Sequence, residues 1–396
     1  MPPTPSLEPP ARVLLGPGPS TVSSRVLRAM SIPLVGHLDP AFLRIMDETK
    51  RLLQFVFQTR NELTIPISGT GSAGMEACLV NLLEPGDEAV VCINGVFGTR
   101  MADIVERCGA TLVKVEAPWG RVIDPADVAA ALRRAPHPKL VAIVHAETST
   151  GAWQPIEEIS EMVHDAGALL VVDTVTSLGG CPVRVDDWGI DACYSGKQKC
   201  LSCPPGLSPI TFGARALEVL RHRKTKVQSW YLDLTMIEKY WGAERAYHHT
   251  APITMNYALY EALRIVEEEG LEVRWARHEH NHRALKAGLA AIGLTIASQE
   301  SHQLWTLNSV RIPDGVDDGR VRGALLETFN IEIGGGLGPL KGKTWRIGLM
   351  GESSTAANVL LVLSALERVL PDCGHVVSEG AAVGAAQRVY AAAPQC

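Results

Sequence analysis

Lys199 stands in the turn Tyr194-Ser195-Gly196-Lys197-Gln198-Lys199-Cys200-Leu201-Ser202-Cys203, between two apolar runs. An amine in such a turn can condense with an aldehyde and afterwards carry a proton. Upstream, the run Ala168-Leu169-Leu170-Val171-Val172 closes on Asp173. A continuous apolar run ending in an acid reads as a parallel strand covered on both faces, with its charge at the carboxyl edge where ligands bind in open α/β sheets. A third feature is the loop Ser68-Gly69-Thr70-Gly71-Ser72, after the apolar run Leu63–Ile67 and before a helical pattern starting near Met75. Its glycines let backbone N–H groups approach an anion, and the helix start adds partial positive charge, so the loop suits a phosphate.

Amine, carboxylate and phosphate cradle together suit pyridoxal 5'-phosphate. The amine makes a Schiff base with its aldehyde, and the carboxylate keeps the ring nitrogen protonated so that the ring accepts electrons. Lys197, two residues away, competes with Lys199 and puts a second amine beside the site that would perturb the first. Cys200 and Cys203 form a C-x-x-C with no second ligand pair, and read as small residues packing beside the cofactor. His278 and His282 stack at i, i+4 like metal ligands. They lie in the polar stretch Arg277–Arg283, which reads as a solvated helix face, and no metal is expected.

The elements that must position these groups follow from the patterning. Short apolar runs (Ala89–Ile93, Thr111–Val115, Leu140–Val144, Leu169–Val172) alternate with amphipathic segments as far as about residue 215. That alternation predicts an α/β fold, a mainly parallel sheet with helices on both faces. A long helix is expected over 256–283, then a smaller α+β unit with strands at Ser309–Ile312, Ile331–Ile333 and Thr344–Leu349 and a helix over 356–370. The expected division is an N-terminal arm (1–20), a large unit (21–272), a small unit (273–372) and a flexible tail (373–396). With 396 residues, 46% hydrophobic, the chain can bury a large core. Its net charge of −6 and lack of a basic block exclude nucleic acid and anionic membranes as expected partners. The N-terminus lacks the basic and apolar regions of a secretory signal, and nine scattered cysteines suit a reducing compartment, so a cytoplasmic protein is expected.

The chain resembles the alanine-glyoxylate (serine-pyruvate) aminotransferase family, among the class V, fold type I pyridoxal phosphate enzymes. The likeness runs in order through Leu14–Ser20, Ser68–Gly71, Leu83–Asp87, Thr148–Gly151, Ser177–Gly180, Ser195–Gly206, Tyr247–Thr250, Gly335–Pro339 and Arg346–Leu349. The resemblance implies that Lys199 is the Schiff-base lysine and Asp173 the pyridinium partner. It implies a phosphate cup of Ser68, Gly69, Thr70, Gly71 and Ser72 with Gln198, and Thr148 by the ring hydroxyl. Phe97 would stack on the ring, where relatives often carry tryptophan, and Val175 would pack on the opposite face. Tyr247 and Thr250 would reach the phosphate of a neighbouring subunit, which implies a homodimer with shared sites. Arg346 would clamp the substrate carboxylate, with Gly18 and His37 at the substrate end.

The reaction implied is transfer of the amino group of alanine, with serine as a second donor, to glyoxylate, giving glycine and a 2-oxo acid in two half-reactions. Rival donors within the family are serine, ureidoglycine, pyridoxamine and aminophosphonates. A cysteine desulfurase needs a mobile cysteine well downstream of the lysine, and none occurs between Cys203 and Cys373. A cofactor-binding module without catalysis is the remaining rival, against which the full set of lysine, aspartate, arginine and loop argues.

Overall fold

A computed structural model describes residues 6–392 of the chain. The outer residues of the expected arm and tail, 1–5 and 393–396, lie outside the described part. Seven strands form the main sheet: β1 (Leu63–Ser68), β2 (Glu88–Ile93), β3 (Thr111–Glu116), β4 (Pro138–Val144), β5 (Leu169–Asp173), β6 (Ala192–Tyr194) and β7 (Leu207–Phe212). Their order is β1-β7-β6-β5-β4-β2-β3. Only β7 runs against the rest, and since β1 and β6 are both antiparallel to it they share one direction. The carboxyl ends of six strands therefore open on one edge.

The strands read as unbroken apolar runs because each face is covered. Leu169 and Val171 join one hydrophobic cluster, Leu170 and Val172 another on the opposite face. Each of these buried side chains contributes about 1.5–3 kcal/mol. Helix α1 (Gly71–Leu82) and helix α2 (Val96–Arg107) start just beyond β1 and β2 at the same edge.

The helix expected over 256–283 is two helices, α3 (Ile253–Glu269) and α4 (Leu271–Ala291), because Gly270 takes φ +80° between them. Helix α4 joins two cores. Leu271 and Trp275 pack into the large-sheet core, while Ala284, Leu285 and Leu289 belong to a third cluster around a small antiparallel sheet. That sheet has the order β8 (Leu307–Arg311), β10 (Thr344–Gly348), β9 (Gly334–Gly335). Ile331–Glu332, expected beside these strands, pairs instead with Val13–Leu14 near the N-terminus. Helix α5 (Ala356–Asp372) covers the cluster.

The segment after Asp372, expected as a frayed tail, carries a further helix, α6 (Ala381–Ala391). Ala382 and Ala386 are fully buried against the third cluster, and the Tyr390 hydroxyl donates to Asn281 Oδ1 at 2.8 Å. Small residues hide the amphipathicity of this helix in the sequence, yet they are what lets it lie close on its neighbours. Among the described residues no helix is long and apolar enough to cross a membrane.

The polar stretch in α4 is also not a solvated face. His278 and His282 are buried, His278 Nδ1 against the Arg274 carbonyl at 2.7 Å and His282 Nδ1 against Asn308 Oδ1 at 2.7 Å. A third buried histidine, His145, accepts from the Trp153 indole at Nε2 (2.7 Å), so its proton sits on Nδ1 toward Ser177 Oγ (2.9 Å). Burial pushes His145 down to about 3 and His282 to about 4, and His278 lower still than its ordinary value. A folded pKa below the unfolded one means the unfolded chain binds more protons in acid. This stability is complete above about pH 6.5 and is lost as pH falls toward these values. His282→Gln should therefore flatten the acid limb of a denaturant-stability profile between pH 6 and 4 by about 1.4 kcal/mol per pH unit. An unchanged slope refutes the buried neutral state.

Candidate active site

Register alone brings the first groups together: Val144 pairs with Asp173, and Asp173 with Tyr194. Asp173 is 1% exposed, and its two oxygens accept from the Val175 N–H and the Tyr194 hydroxyl, both at 2.8 Å. Burial raises its carboxyl to about 7, while the two hydrogen bonds and the charge of Lys199 pull it back down. Glu147, also fully buried and raised by burial, pushes the same way as desolvation.

Lys199 follows β6 by a short turn whose backbone is tied down. Ser20 Oγ donates to the Lys199 carbonyl at 2.7 Å, and the Ser20 N–H to the Gln198 carbonyl at 3.0 Å. The amine donates to the Pro17 carbonyl. Burial, and then Arg346, bring it down to about 8, so about a tenth of the amine is neutral at pH 7. Gly18 sits at φ +100°, and a Cβ there would stand 2.7 Å from the Lys199 Nζ. The backbone conformation disfavours a larger residue there, and one would push the amine aside.

Lys197 does not join them. It is fully buried, but its Nζ donates to the Met255 carbonyl at 2.9 Å at the start of α3. The expected second amine beside the first is turned away into the core, and it does not figure among the groups that shift Lys199.

The loop expected to hold a phosphate is tighter than its pattern suggested. Helix α1 begins at Gly71, a full turn before Met75, with Thr70 as N-cap. A Cβ on Gly69 (φ +158°) would meet Ala73 at 2.5 Å, and one on Gly71 would lie 3.5 Å from Gly196 Cα and 3.4 Å from Val175 Cγ2. Cup, lysine turn and Val175 thus close on one space. Gln198 Oε1 is buried beside it with no hydrogen-bond partner among the described residues. Phe97, half-buried in the first turn of α2, is held by its N–H donating to Glu147 Oε2 at 3.2 Å. Thr148 is buried with its hydroxyl on that of Thr176.

Arg346 comes from the small sheet. Its Nε donates to the Gly335 carbonyl (2.8 Å) and one terminal nitrogen to the Thr148 carbonyl (3.3 Å), leaving the other terminal nitrogen without a partner among the described residues. Burial lowers it to about 10, which leaves it cationic at neutral pH. His37 lies farther out: its carbonyl accepts from Tyr240 and its ring stands 5.3 Å from Tyr247. Tyr247 is 63% exposed and Thr250 is exposed, and neither hydrogen-bonds to the cup among the described residues.

Sequence reasoning missed several neighbours of the site. Tyr194, which donates to Asp173, ends a strand where only burial was legible. Arg100 donates to Ser72 Oγ at 3.2 Å and lies 5.1 Å over the Phe97 ring. His249 Nε2 meets Ser68 Oγ at 2.7 Å and carries His248 on its other nitrogen. Glu147 sits one position before Thr148 and was readable as an acid after a buried strand, by the same signal that marked Asp173.

A mainly parallel sheet whose strand ends carry carboxylate and amine, faced by a guanidinium from a smaller sheet, is the frame of the fold type I transferases, and the solved structures agree. The chain matches the ureidoglycine-glyoxylate aminotransferase of Bacillus subtilis with a TM-score of 0.95 and 46% identity, covering 97% of this chain and 99% of that one. It matches the alanine–glyoxylate aminotransferase of a Nostoc species with a TM-score of 0.91 and 51% identity, over 93% and 97% of the two chains. The alanine–glyoxylate aminotransferase of Rattus norvegicus is 43% identical over 92% of this chain and 89% of its own length. The class-V aminotransferase family model matches residues 20–343, and the chain belongs to that family. Aminotransferases of this class depend on pyridoxal phosphate.

Proposed function

We propose that the chain moves the amino group of a small amino acid, alanine first, to glyoxylate, giving glycine and the matching 2-oxo acid. The observation that carries this reading is the convergence on one sheet edge of the Lys199 amine, the buried Asp173 carboxyl and the unpartnered terminal nitrogen of Arg346. Glyoxylate stands in the names of all three relatives described above, which supports it as acceptor.

The residues fit pyridoxal phosphate. Asp173 is a buried acid, the N-terminus of α1 stands behind the glycine loop, and Gln198 Oε1 is buried with no hydrogen-bond partner among the described residues. In this reading Ser68, Gly69, Thr70, Gly71, Ser72 and Gln198 hold the phosphate, Phe97 and Val175 flank the ring, and Thr148 meets its hydroxyl. When bound, the group supplies an aldehyde for Lys199 and a ring that accepts the electron pair left on the substrate carbon. Asp173 keeps a proton on the ring nitrogen, and its raised affinity for protons is then met by a cationic partner. Lys199, partly neutral at pH 7, would take the substrate Cα proton as general base and deliver it as general acid to the cofactor's aldehyde carbon. Arg346, fixed by Gly335 and Thr148, offers its free nitrogen to the carboxylate of donor and acceptor alike. Tyr247 and Thr250, exposed here, reach the cup of a second copy in a homodimer that we place in the cytoplasm.

A second donor has a specific observation behind it. The ureidoglycine-glyoxylate enzyme matches nearly the whole of this chain, 97%, against 93% and 92% for the two alanine enzymes. The deciding measurement is glycine formation from glyoxylate with alanine, serine or (S)-ureidoglycine as donor. Alanine is expected to give the highest kcat/KM. A preference for ureidoglycine replaces the donor but keeps the acceptor, and no glycine with any donor sinks the proposal.

A further inference from the structure

The first half of α4 carries an arginine that the reaction does not touch but that holds its site from behind. Arg274 is 1% exposed, and its guanidinium forks: Nε donates to the Gly179 carbonyl at 2.9 Å and a terminal nitrogen to the Cys200 carbonyl at 2.6 Å. Gly179 belongs to the turn that leaves Asp173, and Cys200 is the residue next to Lys199. The third arm of the fork pairs with Glu269, the last residue of α3. Glu269 also takes Arg277 through both its oxygens, at 2.6 and 3.0 Å. Arg277 in turn donates to the carbonyls of Gly351 (3.0 Å) and Ser354 (2.6 Å), on the turn that follows the Arg346 strand. The Gly351 N–H closes the set on His278 Nε2 at 2.9 Å. One carboxylate and two arginines thus clip the exits of all three segments that bring Asp173, Lys199 and Arg346 to the edge.

A buried ion pair is weak evidence for stability, since desolvation offsets most of its attraction. What a planar five-donor fork supplies here is geometry, two carbonyls of different segments fixed at one spacing. We propose that Arg274, oriented by Glu269, is a positioning residue for Lys199, setting the amine's place through the Cys200 carbonyl. Its action runs through backbone geometry. Lys199 responds to burial, Arg346, Cys200 and Asp173, and Arg274 is absent from that set. This inference rests on the assignment of Lys199 made above.

The test uses the holoenzyme and two variants, Arg274→Lys and Glu269→Gln. A lysine keeps the charge and loses the fork, so Arg274→Lys is expected to lower kcat about 10- to 100-fold with KM for the donor within about twofold, the signature of a displaced reacting group. The visible band of the bound cofactor should shift its apparent pKa by about one unit. In the cofactor-free protein, amide exchange over residues 196–203 should speed up while the main sheet keeps its protection. Glu269→Gln frees the fork without emptying the core and should show the same changes at smaller size, about threefold in kcat. It decides the matter if Arg274→Lys fails to fold. Unchanged band pKa, kcat and exchange in a folded variant overturn the inference, as does a loss confined to melting temperature. If the Lys199 assignment itself is at fault, borohydride fixes no adduct at Lys199 in the unaltered enzyme, whereas a failure of positioning alone leaves that adduct in place.

Discussion

Lys199→Ala is expected to abolish glycine formation while the protein still folds. The lost proton transfer alone is worth about 10²–10⁴-fold, and the lost covalent link adds to it. Removing the side chain costs the fold little, because the turn is held through backbone groups: the Lys199 and Gln198 carbonyls on Ser20 and the Cys200 carbonyl on Arg274. The companion measurement is borohydride reduction of the unaltered enzyme followed by peptide mapping. The adduct should fall on Lys199 alone, since the Lys197 amine is engaged by the Met255 carbonyl on the far side of the turn. An adduct on Lys197, or turnover by Lys199→Ala near the unaltered rate, contradicts the assignment.

Asp173→Asn carries the second large effect, with opposite signs for activity and for stability. Asparagine keeps the shape and can still accept from Val175, but it cannot hold a cation. An anion within a few ångström shifts a partner's pKa by about 1–3 units, so the protonated ring should become about 10- to 1,000-fold scarcer and kcat should fall accordingly. In the cofactor-free protein the same substitution should stabilise at alkaline pH. The folded pKa of Asp173, about 7, lies above its ordinary 3.8, so the folded state holds the proton longer than the unfolded one. The stability linked to this group is full below pH 3.8 and is lost as pH rises through 7. Denaturant melts of both cofactor-free proteins from pH 4 to 8 should therefore diverge upward, Asp173→Asn ending the more stable. Parallel profiles would show that the carboxyl is not raised, and an active Asp173→Asn would remove it from the mechanism.

The parts of the site read from sequence are those where one pattern carries both burial and charge. Asp173 ends a run of apolar residues, Lys199 stands in a Gly/Ser/Pro turn between two such runs, and the cup is a glycine loop before a helix; each has a local signature. Arg274, His278 and His282 have the opposite one. Charged and aromatic residues crowd that stretch of α4, and a periodicity argument reads such a crowd as solvent-facing. Only the chain around it, the carbonyls of Gly179 and Cys200 and the Asn308 amide, supplies the partners that allow it to be buried. Helix α6 was lost for a related reason: alanine and glycine give little contrast between faces, and its partners lie on α4 and α5. Lys197 shows the limit of spacing, since two residues along a turn reverse the direction in which a side chain points.

The strap formed by residues 13–20 has a consequence for how the protein is made. Val13–Leu14 pairs with Ile331–Glu332, Arg12 meets Asn330 318 positions later, and the Leu15 carbonyl accepts from the Gly348 N–H. The same strap supplies the Pro17 carbonyl to the Lys199 amine and Ser20 to its turn. The strap thus cannot settle until partners as far as 318 positions later have been made. At about 5–20 residues per second that delay is tens of seconds, and the lysine turn, made partway through it, lacks its cover for the rest. The large unit is therefore made ahead of the strands that fix its strap, and the Lys199 amine meets the Pro17 carbonyl in its settled place only once those strands exist.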